Sequence, residues 1–188
     1  MKLPASFYTG RPVTAIARSL LGKLLVTSGI DGVVQAGWIV EAEAYSHRER
    51  GCHAFGNKMT ARNQAMFLPG GHAYVYLCYG MHWMFNVVTG PEGKGDAVLI
   101  RAIQPLPNGK RLPPRVTAGP GKLTKALQID RSYNGLWLGG DRIWLEEGMS
   151  LRKAQVVQTT RIGIEYAGPD ALLPWRFYMK DNPWVSRK

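Results

Sequence analysis

The chain has 188 residues, 45% of them apolar, an ordinary globular composition long enough for one domain, 1–188, with a core of its own. Lysine and arginine number 24 against 13 acidic residues, a formal charge of +11. The basic residues are spread along the chain rather than bunched in a tail, which favours a folded basic face for nucleic acid over an anionic membrane or acidic ligand.

The two cysteines, Cys52 and Cys78, form no CxxC, and the four histidines (His47, His53, His72, His82) show no HExxH spacing. A metal-free protein of a reducing compartment is therefore expected. Pro4, Ser6 and Arg11 interrupt any signal-peptide core. The longest near-apolar run, 73–88, is short for a membrane span and broken by Gly80, His82 and Asn86.

In chain order, Val13, Ile16, Ala17, Leu20 and Leu21 recur at helical spacing between Pro12 and Gly22, predicting an amphipathic helix. Strands are expected at 23–27 and 33–45, joined by a turn at 28–32. In the second strand, WIVEAEAY, period two puts Glu41, Glu43 and Tyr45 on one face and Val40, Ala42 and Ala44 on the other. Two carboxylates and a tyrosine where a strand runs into a loop read as a solvated face, or as a general base beside an aromatic platform. Spacing leaves open which glutamate that base would be.

Residues 46–59 read as a polar loop with two of the histidines, and Thr60 as the cap of a short helix through Phe67. The stretch 71–88, GHAYVYLCYGMHWMFNVV, alternates through Tyr74, Tyr76 and Cys78, breaks at Gly80, then alternates again through Trp83, Phe85 and Val87. It predicts a β-hairpin with Tyr79, Gly80 and Met81 at its tip. A tyrosine and a methionine at a tip of a basic protein suggest a wedge for stacked bases; the alternative is a buried hairpin carrying core aromatics.

A buried strand is expected at 97–103, interrupted by Arg101, which when buried needs an anionic partner such as a phosphate. Residues 104–117, with Lys110, Arg111 and Arg115, read as an exposed basic loop. Gly119 to Lys122 then opens a helix whose start could hold a phosphate. Further strands are expected at 142–145, 156–164 and 176–179, and Asn182, Pro183 and Trp184 tie down the tail.

Several motifs follow one another in a fixed order: Glu41-Ala-Glu43-Ala-Tyr45, His53, Met59-Thr60-x-Arg62-Asn63, Tyr74-Val75-Tyr76-x-x-Tyr79-Gly80-Met81, Asn86, Leu99-x-Arg101-Ala102, Gly119-Pro120-x-Lys122-Leu123, Arg176-Phe177-Tyr178 and Pro183-Trp184-Val185-Ser186. This ordered set, covering essentially the whole chain, resembles the alkyladenine (3-methyladenine) DNA glycosylase family. The resemblance implies a mixed α/β (α+β) domain, a curved antiparallel sheet surrounded by helices, with a protruding hairpin (73–88) for insertion into DNA.

It also implies a monomeric, cofactor-free and metal-free enzyme acting on damaged double-stranded DNA, with no membrane role. The reaction would be hydrolysis of the N-glycosidic bond of 3-methyladenine, 7-methylguanine, hypoxanthine or ethenoadenine, leaving an abasic site. Position by position, Glu43 becomes the catalytic base. Tyr45, His53, Tyr76 and Asn86 form the base pocket, and Tyr79 and Met81 intercalate. Arg101, Thr60, Lys122, Arg161 and Gly163 contact the DNA backbone. The expected location is the nucleoid-containing cytoplasm of a bacterium or the nucleus of a eukaryote. A non-enzymatic nucleic-acid binder and a lyase using a lysine amine are the competing readings.

Overall fold

A computed structural model describes residues 1–29, 32–106 and 115–188. Strands β1 (Leu24–Ser28), β2 (Val34–Tyr45), β3 (Ala73–Cys78), β4 (His82–Thr89), β5 (Asp96–Pro105), β6 (Ile143–Glu146), β7 (Val156–Thr159) and β8 (Arg176–Met179) form one antiparallel sheet. The main path runs β3-β4-β5-β2-β1-β6, with β8 pairing β2 and β7. This is the expected mixed fold with a curved antiparallel sheet. Its helical part is α1 (Val13–Leu20), α2 (Pro120–Ala126) and short 3-10 turns.

Helix α1 starts after Pro12, buries Val13, Ile16, Ala17 and Leu20, and packs on β2 and β5. Gly22, at φ 83°, follows it. A side chain there would run into the Met149 carbonyl, so close packing as well as backbone conformation requires glycine.

Strand β2 is central. One edge pairs with β5, while the other pairs first with β1 and then, at Glu41–Glu43, with β8. This part of β2 is paired on both edges and covered on its faces, so Glu41 and Glu43 are fully buried instead of forming a solvated surface. Register shifts at Glu41 between β2 and β5 put an unpaired residue in each strand, Val40 and Arg101. Such bulges bend a sheet and re-aim side chains. The C-terminal tail covers Val40 with Val185 and donates the Ser186 amide to Glu41, so the terminus is anchored as expected.

The cross-strand register builds one row over five strands: Tyr74, Asn86, Leu99, Glu43 and Arg176. Its opposite face carries Val75, Phe85, Val87, Val98, Ile100, Ala42 and Ala44 in the main apolar core. The sheet thus separates a dry face from a polar one.

Four local expectations are revised. Instead of a helix capped by Thr60, there is a 3-10 turn, Gln64–Phe67, and the Asn63 side chain accepts the Thr60 amide at 2.6 Å. The expected strand 156–164 ends at Thr159, because the Thr160 carbonyl accepts Arg176 Nε and Gly163 turns at φ 75°. The strand expected at 97–103 is longer, Asp96–Pro105. In the 104–117 segment, Lys110 and Arg111 lie outside the described residues, while Arg115 is exposed and donates to the Ser186 carbonyl.

Candidate active site

The polar face of the sheet opens into a cavity of about 770 Å³, lined among others by Tyr45, His53, Tyr74, Tyr76, Asn86 and Arg101. Strand β2 delivers Tyr45, the β3–β4 hairpin delivers Tyr74, Tyr76 and Asn86, and β5 delivers Arg101. The loop after β7 closes the far side with Ile162 and Gly163.

Glu43 is not part of the lining. It sits immediately behind it, fully buried, held by three groups that are. The Ile162 amide donates to Oε1 at 2.8 Å, and Oε2 accepts the Tyr45 hydroxyl at 2.8 Å and Arg101 Nη1 at 3.3 Å. Burial raises the Glu43 pKa above the ordinary carboxylate value; the Arg101 charge and the two other donors oppose the rise. Two donors occupy Oε2, but among the described residues Oε1 accepts only the Ile162 amide, which leaves one of its lone-pair sites unused.

Glu41, whose spacing made it equally eligible as the base, has a different environment. Its Oε1 accepts Arg101 Nε at 3.2 Å and Arg176 Nη1 at 2.9 Å, and its Oε2 accepts the Ser186 amide at 2.7 Å. It anchors Arg101, Arg176 and the tail, and is itself not part of the cavity lining. The anionic partner required by Arg101 is thus this pair of glutamates, without recourse to a phosphate.

The aromatic wall is ordered by its own contacts. Tyr74 and Tyr76 stack with centroids 5.2 Å apart, and His53 packs edge-on against Tyr76 at 4.6 Å. His53 Nδ1 lies 2.9 Å from the Tyr74 hydroxyl. Desolvation of the ring and the nearby Arg62 hold the His53 pKa below its ordinary value, which favours the neutral imidazole. Arg62 lies over the Tyr76 ring at 5.5 Å. Asn86 is buried and donates to the Tyr74 carbonyl at 3.1 Å.

Tyr79 and Met81 are 89% and 70% exposed at the hairpin tip. The turn is closed by the Met81 amide on the Cys78 carbonyl, 3.0 Å, with Tyr79 at φ 49° and Gly80 at φ 70°. A left-handed backbone suits glycine but costs a tyrosine on the order of 1–3 kcal/mol. Solvent-exposed and strained, Tyr79 makes no stacking contact with another ring of the described residues.

Of the residues assigned to the DNA backbone, Arg101 lines the cavity and pairs with Glu41 and Glu43, and the other four separate into two groups. Thr60, Lys122 and Gly163 are exposed, Gly163 on the cavity rim and Lys122 in a second cavity beyond the hairpin. Arg161 is different: its side chain is fully buried, paired with Glu49 and bonded to the Ala44 and Asp170 carbonyls. In this structure the guanidinium is committed to interior partners rather than presented to a phosphate. Cys52 is buried, donates to the Gly95 carbonyl, and has its thiol pushed up to about 12 by burial, marking it as structural.

Sequence reading missed the Ile162 amide, Glu49, Trp175 and Tyr166. The first is a backbone group 119 residues from Glu43, for which no side-chain signal exists. Tyr166 is exposed on the cavity rim, with its hydroxyl donated to the Gly51 carbonyl at 3.1 Å. Among the described residues, no group of three or more His, Cys, Asp or Glu side chains is placed to hold a metal ion. No helix among them is long and apolar enough to cross a membrane.

A family model described as methylpurine-DNA glycosylase matches residues 6–183. A Carboxydothermus hydrogenoformans protein named "Putative 3-methyladenine DNA glycosylase" is 45% identical, with all of both chains covered. Relatives bearing the same name include one from Alkaliphilus oremlandii, 41% identical over all of both chains, and one from a Synechococcus strain, 47% identical over 95% of this chain and 96% of its own.

Proposed function

The chain belongs to the methylpurine-DNA glycosylase family, enzymes of DNA repair, and we propose that it turns a damaged purine out of the duplex into this cavity and hydrolyses its glycosidic bond with water activated by Glu43. The observation that carries the proposal is a buried carboxylate directly behind an aromatic cavity roomy enough for a purine nucleotide, beside an exposed and strained tyrosine tip.

Chemistry at a base requires taking it out of the stack, at a cost of a few kcal/mol that is lowest for damaged or mispaired bases. Tyr79 fills the gap that the base leaves, and the basic surface holds the phosphates. Tyr45 and Tyr76 offer ring faces to the purine. Cationic 3-methyladenine and 7-methylguanine gain from those faces electrostatically, whereas hypoxanthine and ethenoadenine rely on stacking and on edge contacts to neutral His53. Asn86 projects where the 2-amino group of guanine would enter, which disfavours the normal base.

As the C1′–N bond breaks, its electrons leave with the purine and positive charge builds on the sugar. Ionised Glu43 stabilises that charge. The free site on Oε1 takes the proton of the water whose oxygen bonds to C1′. Arg101 and the Ile162 amide keep the carboxylate oriented and its charge compensated. No lysine nucleophile is required, so no covalent DNA intermediate forms.

The test is base release from duplexes carrying single lesions, with borohydride and EDTA in parallel reactions. Free base, an uncut abasic strand and no trapped adduct are expected. A trapped adduct would instead establish the lyase chemistry, and tight lesion binding without release of any purine would establish a binding module.

A further inference from the structure

The buried charged residues described are Glu41, Glu43, Glu49, Arg101, Arg161 and Arg176, three of each sign. In a chain of formal charge +11, the formal charges of these buried residues therefore cancel. Glu41, Glu43, Arg101 and Arg176 form one network. Glu49 and Arg161 form a second, which the glycosidic chemistry proposed above does not use.

The second network has well-defined geometry. Arg161 grips Glu49 through two parallel bonds, Nη1–Oε1 at 2.7 Å and Nη2–Oε2 at 2.8 Å, and Glu49 Oε2 also accepts the Gly51 amide at 2.7 Å. The guanidinium lies over the Tyr45 ring at 4.8 Å and the Trp175 ring at 5.3 Å. Tyr45 lines the cavity and Arg161 does not, so the cation sits behind the ring that faces the substrate. Arg161 is also the residue before Ile162, whose amide holds Glu43.

We propose that the Glu49–Arg161 pair is a positioning and specificity-setting element: it fixes the back of Tyr45 and cancels the charge behind the base pocket, so that positively charged purines are accepted alongside neutral ones. This inference rests on the glycosylase reading above. An arginine cannot shed its proton, so losing Glu49 leaves a full positive charge behind Tyr45. A base stacked on the other face would lie about 8 Å from it. At an effective dielectric of about 20 that distance penalises binding of a cationic base roughly tenfold to thirtyfold, whereas a neutral base, which gains negative charge as its bond breaks, bears no such penalty.

The experiment compares kcat/KM for release of cationic 7-methylguanine and neutral hypoxanthine from otherwise identical duplexes, at fixed pH and salt, in wild type and Glu49→Gln. The expected result is a fall of at least about tenfold in the 7-methylguanine to hypoxanthine ratio, on top of any loss common to both. Arg161→Gln, which leaves no cation behind the ring, is expected not to lower the ratio. Equal losses on both bases in Glu49→Gln would overturn the proposal and leave the pair a structural clamp.

If Glu49→Gln does not fold, Glu49→Asp keeps the charge but withdraws it by one methylene group. The ratio then falls in the same direction by about 1.4-fold, and a ratio that is unchanged in replicate measurements overturns the proposal. Wild type releasing neither base would fault the glycosylase reading itself, whereas wild type releasing both with an invariant ratio across variants would fault only this inference.

Discussion

The Tyr45 hydroxyl donates a 2.8 Å hydrogen bond to Glu43 Oε2, joining a residue of the cavity wall to the carboxylate buried behind it. In the proposed reaction Tyr45 would thus have two separable roles, a ring face for the purine and a hydroxyl for the base. Burial and the neighbouring Glu43 charge raise the Tyr45 pKa well above the ordinary value, so the hydroxyl remains a donor throughout the working range.

Tyr45→Phe keeps the ring and removes the donor. A hydrogen bond to the charged form of an acid lowers its pKa, so losing it raises that of Glu43 further. The acid limb of the kcat profile is expected to move to higher pH, with kcat at its plateau falling about tenfold and lesion affinity within about twofold of wild type. An unmoved acid limb would show that the hydroxyl does not act on Glu43.

In wild type the same logic fixes the direction of the pH dependence. The Glu43 pKa is raised by burial, and the base works only when ionised. Activity should decline on acidification at a pH above the ordinary glutamate range, and the limb should vanish in the residual rate of Glu43→Gln. The measurement is single-turnover base release across pH; a wild-type limb at or below the value of a free glutamate would contradict the burial argument.

Tyr79 is exposed and strained and makes no ring contact among the described residues, so Tyr79→Ala should leave the melting temperature nearly unchanged. It should weaken binding to lesion-containing duplex by about 1–3 kcal/mol, the value of one stacked base. The exposed Lys122→Ala should cost less and mainly reduce the salt dependence. Equal losses in a fluorescence binding assay would place the tip outside the duplex.

Asn86 is fixed by its bond to the Tyr74 carbonyl and projects from the row that also carries Glu43. Asn86→Ser shortens the side chain and is expected to admit undamaged guanine, raising its release at least severalfold. Unchanged guanine release would remove Asn86 from discrimination.

Glu41 binds Arg101, Arg176 and the Ser186 amide with no exposed surface. Glu41→Gln strips the charge from a buried network and is expected to cost about 3–5 kcal/mol in urea unfolding. A loss of activity without a loss of stability would move Glu41 into the chemistry.

Much of this architecture was legible in period and punctuation. Helix α1, strands β1, β2, β6 and β8, and the hairpin with Tyr79 at its tip follow from local patterns, because each pattern has one way to bury its apolar face. The assignment of Glu43 rather than Glu41 was not legible from spacing, since two residues on the same face of one strand differ only in what distant segments bring to them. Ile162 and Arg176 approach from the C-terminal third. Arg161 shows the same limit from the other side: as a basic residue in a basic protein it reads as a phosphate contact, and only the buried Glu49, 112 residues away, reveals its interior role.

The central claim is that Glu43 is the base of a metal-independent glycosylase. Its most direct test compares wild type and Glu43→Gln on a duplex with one hypoxanthine, in EDTA, measuring base release and duplex affinity together. The account predicts release by wild type leaving an intact abasic strand, and a Gln variant that binds as tightly but releases base at least about a thousandfold more slowly. A Gln variant that retained wild-type release would contradict it.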